Sequence, residues 1–129
     1  MRSKNSETYY YLGKSYKSID KNKQALEALN MSIKLDPFNG YAHFELGKIY
    51  EQILKVNLAI DEYRLAYKYI DSHELNYKYG KILFKEQEFR KALLPLRKFI
   101  IFEPDNIEIL EILGEIFMYE KRFTESIDT

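Results

Sequence analysis

At 129 residues with 46% apolar side chains, the chain is the size of one domain with a sizeable core, which excludes disorder over most of its length. Its 20 basic and 20 acidic side chains cancel, removing the basic excess of a dedicated nucleic-acid binder. With no cysteine there is no disulfide framework, no thiolate nucleophile and no zinc–thiolate site.

The N-terminal stretch MRSKNSETYYYLGK lacks the apolar run of a signal peptide, and no window approaches the roughly 20 apolar residues of a membrane span. The default expectation is a cytoplasmic protein without membrane contact. Tyr9, Leu12 and Tyr16 recur at helical spacing and predict a first helix. Polar residues from Asp20 to Lys23 then suit a tight turn, and Ala25, Leu29 and Ile33 predict a second helix that Pro37 ends. The same order returns around Gly47, with Tyr50 and then Ala59, Tyr63 and Ala66. It returns again around Gly80, with Leu83 and then Ala92, Leu96 and Phe99, closed by Pro104. A fourth start has Leu113, Gly114 and Phe117 on a helix from about Ile107 to Tyr119, leaving Phe123 to Thr129 too short for a full second helix.

Gly13, Gly47, Gly80 and Gly114 are spaced by 34, 33 and 34 residues. A glycine inside a helix costs roughly 1 kcal/mol relative to alanine, so four in register need a reason. Close approach is that reason: glycine on one helix and a small Ala25, Ala59 or Ala92 on its partner let the axes come together. The pattern resembles the tetratricopeptide repeat, which joins an aromatic, Leu-Gly, Tyr, Ala, a further aromatic and Pro at these spacings. The resemblance covers nearly the whole chain and implies an all-α fold, a right-handed superhelical α-solenoid of antiparallel helix pairs with about 3.5 repeats. It divides a single domain, residues 1–129, into units 6–39, 40–72, 73–106 and an incomplete 107–129. The second unit is one residue short, and the deletion falls near Asp71 and Ser72, in a loop.

In such arrays the first helices line a concave groove, and the resemblance implies that positions two, five, six, nine, twelve and thirteen of each unit face it. Position five holds Tyr10, Phe44 and Tyr77, and position nine holds Lys14, Lys48 and Lys81. One turn apart, each aromatic shares a face with its lysine, a surface suited to an extended acidic peptide, with Lys17, Lys78 and Lys85 adding to it. The fourth unit reverses the sign through Glu108, Glu111 and Glu115. Leu110, Leu113 and Phe117, without a capping helix, form a candidate contact edge. The groove that grips chaperone-tail carboxylates in this family asks for Lys and Asn at positions five and nine, then Asn at six, then Lys and Arg at two and six. Here stand Tyr10, Lys14, Glu45, Glu74 and Lys78, and the next frame fits no better. His43 is expected in the core and His73 in an exposed turn, neither at metal-ligand spacing.

The functional expectation is a protein–protein interaction scaffold that binds a peptide or partner segment in its concave groove. The alternative is a self-assembly module that stacks through the uncapped last repeat. No Gly-rich phosphate loop, paired nucleophile or metal cluster points to an enzyme, a cofactor or a metal. Zero net charge and the acidic last unit weigh against nucleic acid.

Overall fold

The computed structural model describes residues 4–128, with side chains through Arg122. Seven helices follow one another: α1 (Lys4–Ser18), α2 (Asn22–Leu35), α3 (Gly40–Gln52), α4 (Val56–Tyr69), α5 (His73–Lys85), α6 (Phe89–Phe102) and α7 (Ile107–Asp128). Two compact units meet at the Ser72–His73 bond, the first holding α1 to α4 and the second α5 to α7. None of the described helices is long and apolar enough to cross a membrane.

In the first unit α1 packs on α2, α3 on α4, and α2 on α3. Its core joins Ala25 and Leu29 of α2 to Ala42, Leu46 and Ile49 of α3, with Tyr10, Tyr16 and Tyr50 against them. In the second unit α5 packs on α6 and α6 on α7. There the buried set includes Leu75, Leu83, Ala92, Leu96, Phe99, Ile109 and Ile116.

Each helix pair closes at a glycine. A β-carbon built on Gly13 would lie 2.5 Å from Leu29, and one on Gly47 would lie 2.5 Å from the Tyr63 ring; Leu96 stands in the same relation to Gly80. The chain reverses between the paired helices through one residue with left-handed backbone: Asp20 (φ 61°), Leu54 (φ 64°) and Gln87 (φ 63°). The amide after each one donates back to a carbonyl five residues earlier, Lys21 to Tyr16 at 2.9 Å, Lys55 to Tyr50 at 2.8 Å and Glu88 to Leu83 at 2.8 Å. This is the Schellman arrangement, which satisfies carbonyls that the helix end leaves open. Each reversal costs about 1–2 kcal/mol for a residue with a β-carbon. The following helix, seated on its glycine, offsets that cost by burial.

Lys121 occupies the matching position after Gly114, and there the chain does not reverse: α7 runs on as one helix to Asp128. This departs from the expected end near Tyr119. At Gly114 an added β-carbon would meet nothing within 4 Å among the described residues. The connection from α4 to α5 spans residues 70–72, whereas 36–39 and 103–106 join the helices elsewhere, so the one-residue deletion sits in a loop. Pro95 lies inside α6 without ending it, buried among Ala92, Leu96 and Phe99, whose packing outweighs the lost backbone hydrogen bond.

Candidate peptide-binding surface

In the first unit the surface is built from α1 and α3. Successive turns of α1 carry Tyr10, Lys14 and Lys17, and α3 carries Tyr41, Phe44, Glu45 and Lys48. The Tyr10 ring lies 5.1 Å from Tyr11 and 6.2 Å from Tyr41. Together with Glu7 and Asn39 these three tyrosines line a cavity of about 270 Å³. Burial raises the Tyr10 phenol above its ordinary pKa, so it stays a neutral donor.

Each aromatic carries its lysine as i, i+4 spacing on a helix requires. The Lys14 ammonium lies 5.4 Å from the Tyr10 ring centre, and Lys48 lies 4.5 Å from that of Phe44. Phe44 is itself buried, 5.9 Å from Tyr63. Its contribution is therefore to packing, with only an edge left for a ligand. Glu45, 5% exposed, is the local counter-ion: Lys17 reaches it at 3.3 Å and Lys48 at 2.9 Å. Of the three lysines only Lys14 is exposed, and among the described residues it has no ion pair.

The second unit repeats the theme on α5 and α7. The Lys81 ammonium lies 4.6 Å from the Tyr77 ring and donates to the Tyr77 hydroxyl at 3.0 Å. Tyr77 donates to Glu108 at 2.5 Å, and Lys81 meets the second oxygen of the same carboxylate at 3.0 Å, closing a triangle. The hydrogen bonds from Tyr77 and Lys81 hold Glu108 below the usual carboxylate range. For Lys81 burial opposes the charge, but the bonds to Tyr77 and Glu108 outweigh it and raise the ammonium above its ordinary value. Lys78 is half-buried and Lys85 exposed on the same helix.

The expected row of solvated lysines is thus altered: Lys17 and Lys48 share Glu45, and Lys81 is held by Glu108. Sequence reasoning passed over the Tyr10–Tyr11–Tyr41 recess, although Tyr41 and Tyr11 stand at positions two and six, both groove-facing in the family pattern. At the other end of the chain Leu110 and Phe117 are 46% and 51% exposed, but Leu113 is 7% exposed. The reason is spacing, since Leu113 shares its helix face with the buried Ile109 and Ile116.

His43 is buried. Its Nδ1 lies 2.7 Å from Glu62 and its Nε2 2.9 Å from the Pro37 carbonyl oxygen. His73 begins α5, half-exposed, stacked on Phe99 at 4.3 Å and hydrogen-bonded to Glu103. Among the described residues no cluster of three or more His, Cys, Asp or Glu is placed to hold a metal.

Paired helices locked glycine to leucine or tyrosine, repeated in register, define a helical-repeat protein. No family model matches the chain. It is 30% identical over 101 residues to BBSome complex member BBS4 of Mus musculus, a match covering 78% of this chain and 19% of that protein. The chain spans about a fifth of the length of the curated relatives it matches first. Among solved structures, YrrB, a TPR protein with an unusual peptide-binding site, superposes with TM-score 0.79 at 20% identity over 93% of this chain and 62% of its own. The first TPR of Spaghetti (RPAP3), bound to the HSP90 peptide SRMEEVD, superposes with TM-score 0.73 at 19% identity over 94% of this chain and 99% of its own. The chain has the fold of tetratricopeptide-repeat proteins.

Proposed function

We propose that this protein is an interaction scaffold that binds an extended segment of a partner protein on the first helices of its pairs. The observation that carries the reading is the recess between Tyr10, Tyr11 and Tyr41 beside the exposed Lys14. Three aromatic walls take an apolar side chain with little loss of rotamer freedom, and the Lys14 ammonium at the rim takes a carboxylate. One solved neighbour has a peptide-binding site and another is bound to a peptide, which supports a binding surface of this kind. Their low identity carries the fold and not the ligand.

An acidic segment with an apolar anchor suits the charges. Lys81 and Lys48 already hold carboxylates of this chain, Glu108 and Glu45, so an acidic ligand exchanges with Glu108 or adds at Lys14. Chaperone-tail capture is disfavoured at Glu45, where a carboxylate occupies the place a ligand carboxylate needs. No catalytic role is part of this reading.

The test is a titration of the full chain with labelled peptides of equal length, acidic, neutral and basic, each with one central leucine. Lys14→Glu is expected to weaken the acidic peptide about tenfold while leaving the melting temperature in place, and Glu108→Gln to strengthen it by freeing Lys81. Equal binding of all three peptides, or indifference to both substitutions, overturns the reading.

A further inference from the structure

The second helices of the three pairs share one exposed line, fixed by its spacing from the buried repeat alanine. On α2 it holds Lys23, Glu27, Asn30 and Lys34, and on α4 it holds Asn57, Asp61, Arg64 and Lys68, all polar and all exposed. On α6 the same positions hold Arg90, Leu94, Arg97 and Ile101, and these too are all exposed. A leucine thus replaces a carboxylate and an isoleucine a lysine, with 56% and 72% of the two side chains left to solvent. Spaced by four, three and four residues, the four side chains fall within about 60° of one another around the helix, and Lys91 and Lys98 run beside them. From Phe89 to Phe102 α6 carries no carboxylate, whereas α2 carries Glu27 and α4 carries Asp61 and Glu62. A following pair does not pack on this line: α2 is followed by α3 and α4 in the same unit, and its line stays exposed.

We infer that this line is a docking surface for an anionic membrane, on which α6 lies among the lipid headgroups with Leu94 and Ile101 inserted and the four cations against phosphates. Cations and apolar side chains alternate along one line, and the membrane interface accepts both side by side. Arginine and lysine bury their apolar stems there and keep the charge at headgroup level. A partner helix is the weaker occupant. Its side chains need an apolar seam every three to four residues, and between Leu94 and Ile101 that seam is broken by Arg97 and Lys98. Charge selects an anionic bilayer over a neutral one, since the helix supplies four cations and no acid. Arg90 meets Glu120 of α7 at 3.8 Å, an exposed contact that a lipid phosphate can replace. Docking of this kind needs no spanning helix, and it departs from the default expectation of a chain without membrane contact. The proposed peptide-binding surface is built on first helices and α6 is a second helix, so the two surfaces are separate.

The test is co-sedimentation of the full chain with phosphatidylcholine vesicles that contain or lack phosphatidylserine. Binding is expected only where phosphatidylserine is present, and it weakens as salt rises from about 0.1 M to about 1 M. Arg97→Gln is expected to weaken it about fivefold, the share of one cation at a charged surface. Leu94→Ser with Ile101→Ser is expected to weaken it at least about tenfold, and to keep the circular dichroism and melting temperature because both side chains are exposed. Lys34→Gln, on the matching line of α2, leaves binding unchanged. Equal binding to both kinds of vesicle, or binding to neither, overturns the inference. So does binding that the paired serine variant leaves intact, which reduces the line to a patch of charge. Loss with Lys34→Gln as large as with Arg97→Gln overturns it as well, because the contact is then not specific to α6. Shifts of α6 amide resonances by soluble polyglutamate, with no vesicle binding, assign the line to an acidic protein instead.

Discussion

Gly47 and Tyr63 are locked together: a β-carbon on Gly47 would lie 2.5 Å from two carbons of the Tyr63 ring. That ring is fully buried, and its hydroxyl donates to Glu51 at 2.6 Å, so it cannot swing aside. Gly47→Ala is therefore expected to lose about 1–3 kcal/mol through overpacking, more than the helix propensity it gains. Gly114→Ala, with nothing to strike, is expected to gain up to about 1 kcal/mol. Urea unfolding of both variants checks the pair, and equal shifts of the same sign would sink the assignment.

Asn39 holds three elements at once. Its carbonyl oxygen accepts from the Ala42 amide at 3.2 Å and so caps α3. Its amide nitrogen donates to the hydroxyls of Ser6 at 3.1 Å and Ser32 at 3.3 Å. Those serines exchange bonds with each other's backbone carbonyl in a site closed to solvent, joining α1 to α2. Asn39→Ala removes the cap and leaves buried hydroxyls short of a donor, a loss of about 1–3 kcal/mol. Asn39→Asp keeps the cap but not the donor and is expected to fall between; thermal melts of the two variants decide.

Leu54 is 82% exposed and has left-handed backbone, so it contributes strain without burial. Asparagine tolerates that geometry. Leu54→Asn is expected to stabilise by about 0.5–1 kcal/mol, read as a higher melting temperature. A fall in melting temperature would show that the leucine makes a contact worth more than its strain.

His43 couples stability to pH. Burial works to lower its pKa, but the hydrogen bonds to Glu62 and the Pro37 carbonyl, with the charges of Glu62 and Asp36, outweigh it and leave the imidazole above its ordinary value. Because the folded pKa exceeds the unfolded one, the proton favours the fold. The contribution is complete below pH of about 6.5 and is lost as pH rises through the raised value. A histidine titration by NMR is expected to show His43 raised in the wild type and lowered in Glu62→Gln, with the stability difference between the two narrowing toward high pH. A titration unmoved by Glu62→Gln refutes the coupling.

Much of this protein could be read in one dimension. Glycines at regular spacing, with alanine twelve residues on, encode a close helix pair, because only those residue types let two axes approach. The i, i+4 pairing of Tyr10 with Lys14, Phe44 with Lys48 and Tyr77 with Lys81 follows from helical geometry alone. Which of these lysines is left for a partner was not legible there. The pair of Lys48 with Glu45 is local, but Glu45 and Glu108 lie 28 and 27 residues from Lys17 and Lys81, which they also hold, and such distances close only once helices pack. The left-handed turns at Leu54 and Gln87 were equally hidden, since neither residue type favours that backbone and packing imposes it, whereas Asp20 lies in a polar stretch that already suits a turn. Local chemistry determined the repeat and its helices by itself. Tertiary packing decided which charges are already neutralised, and that Leu113 is covered while Leu110 and Phe117 are not. Ion pairing and burial depend on neighbours far apart in the chain, and only the fold brings them together.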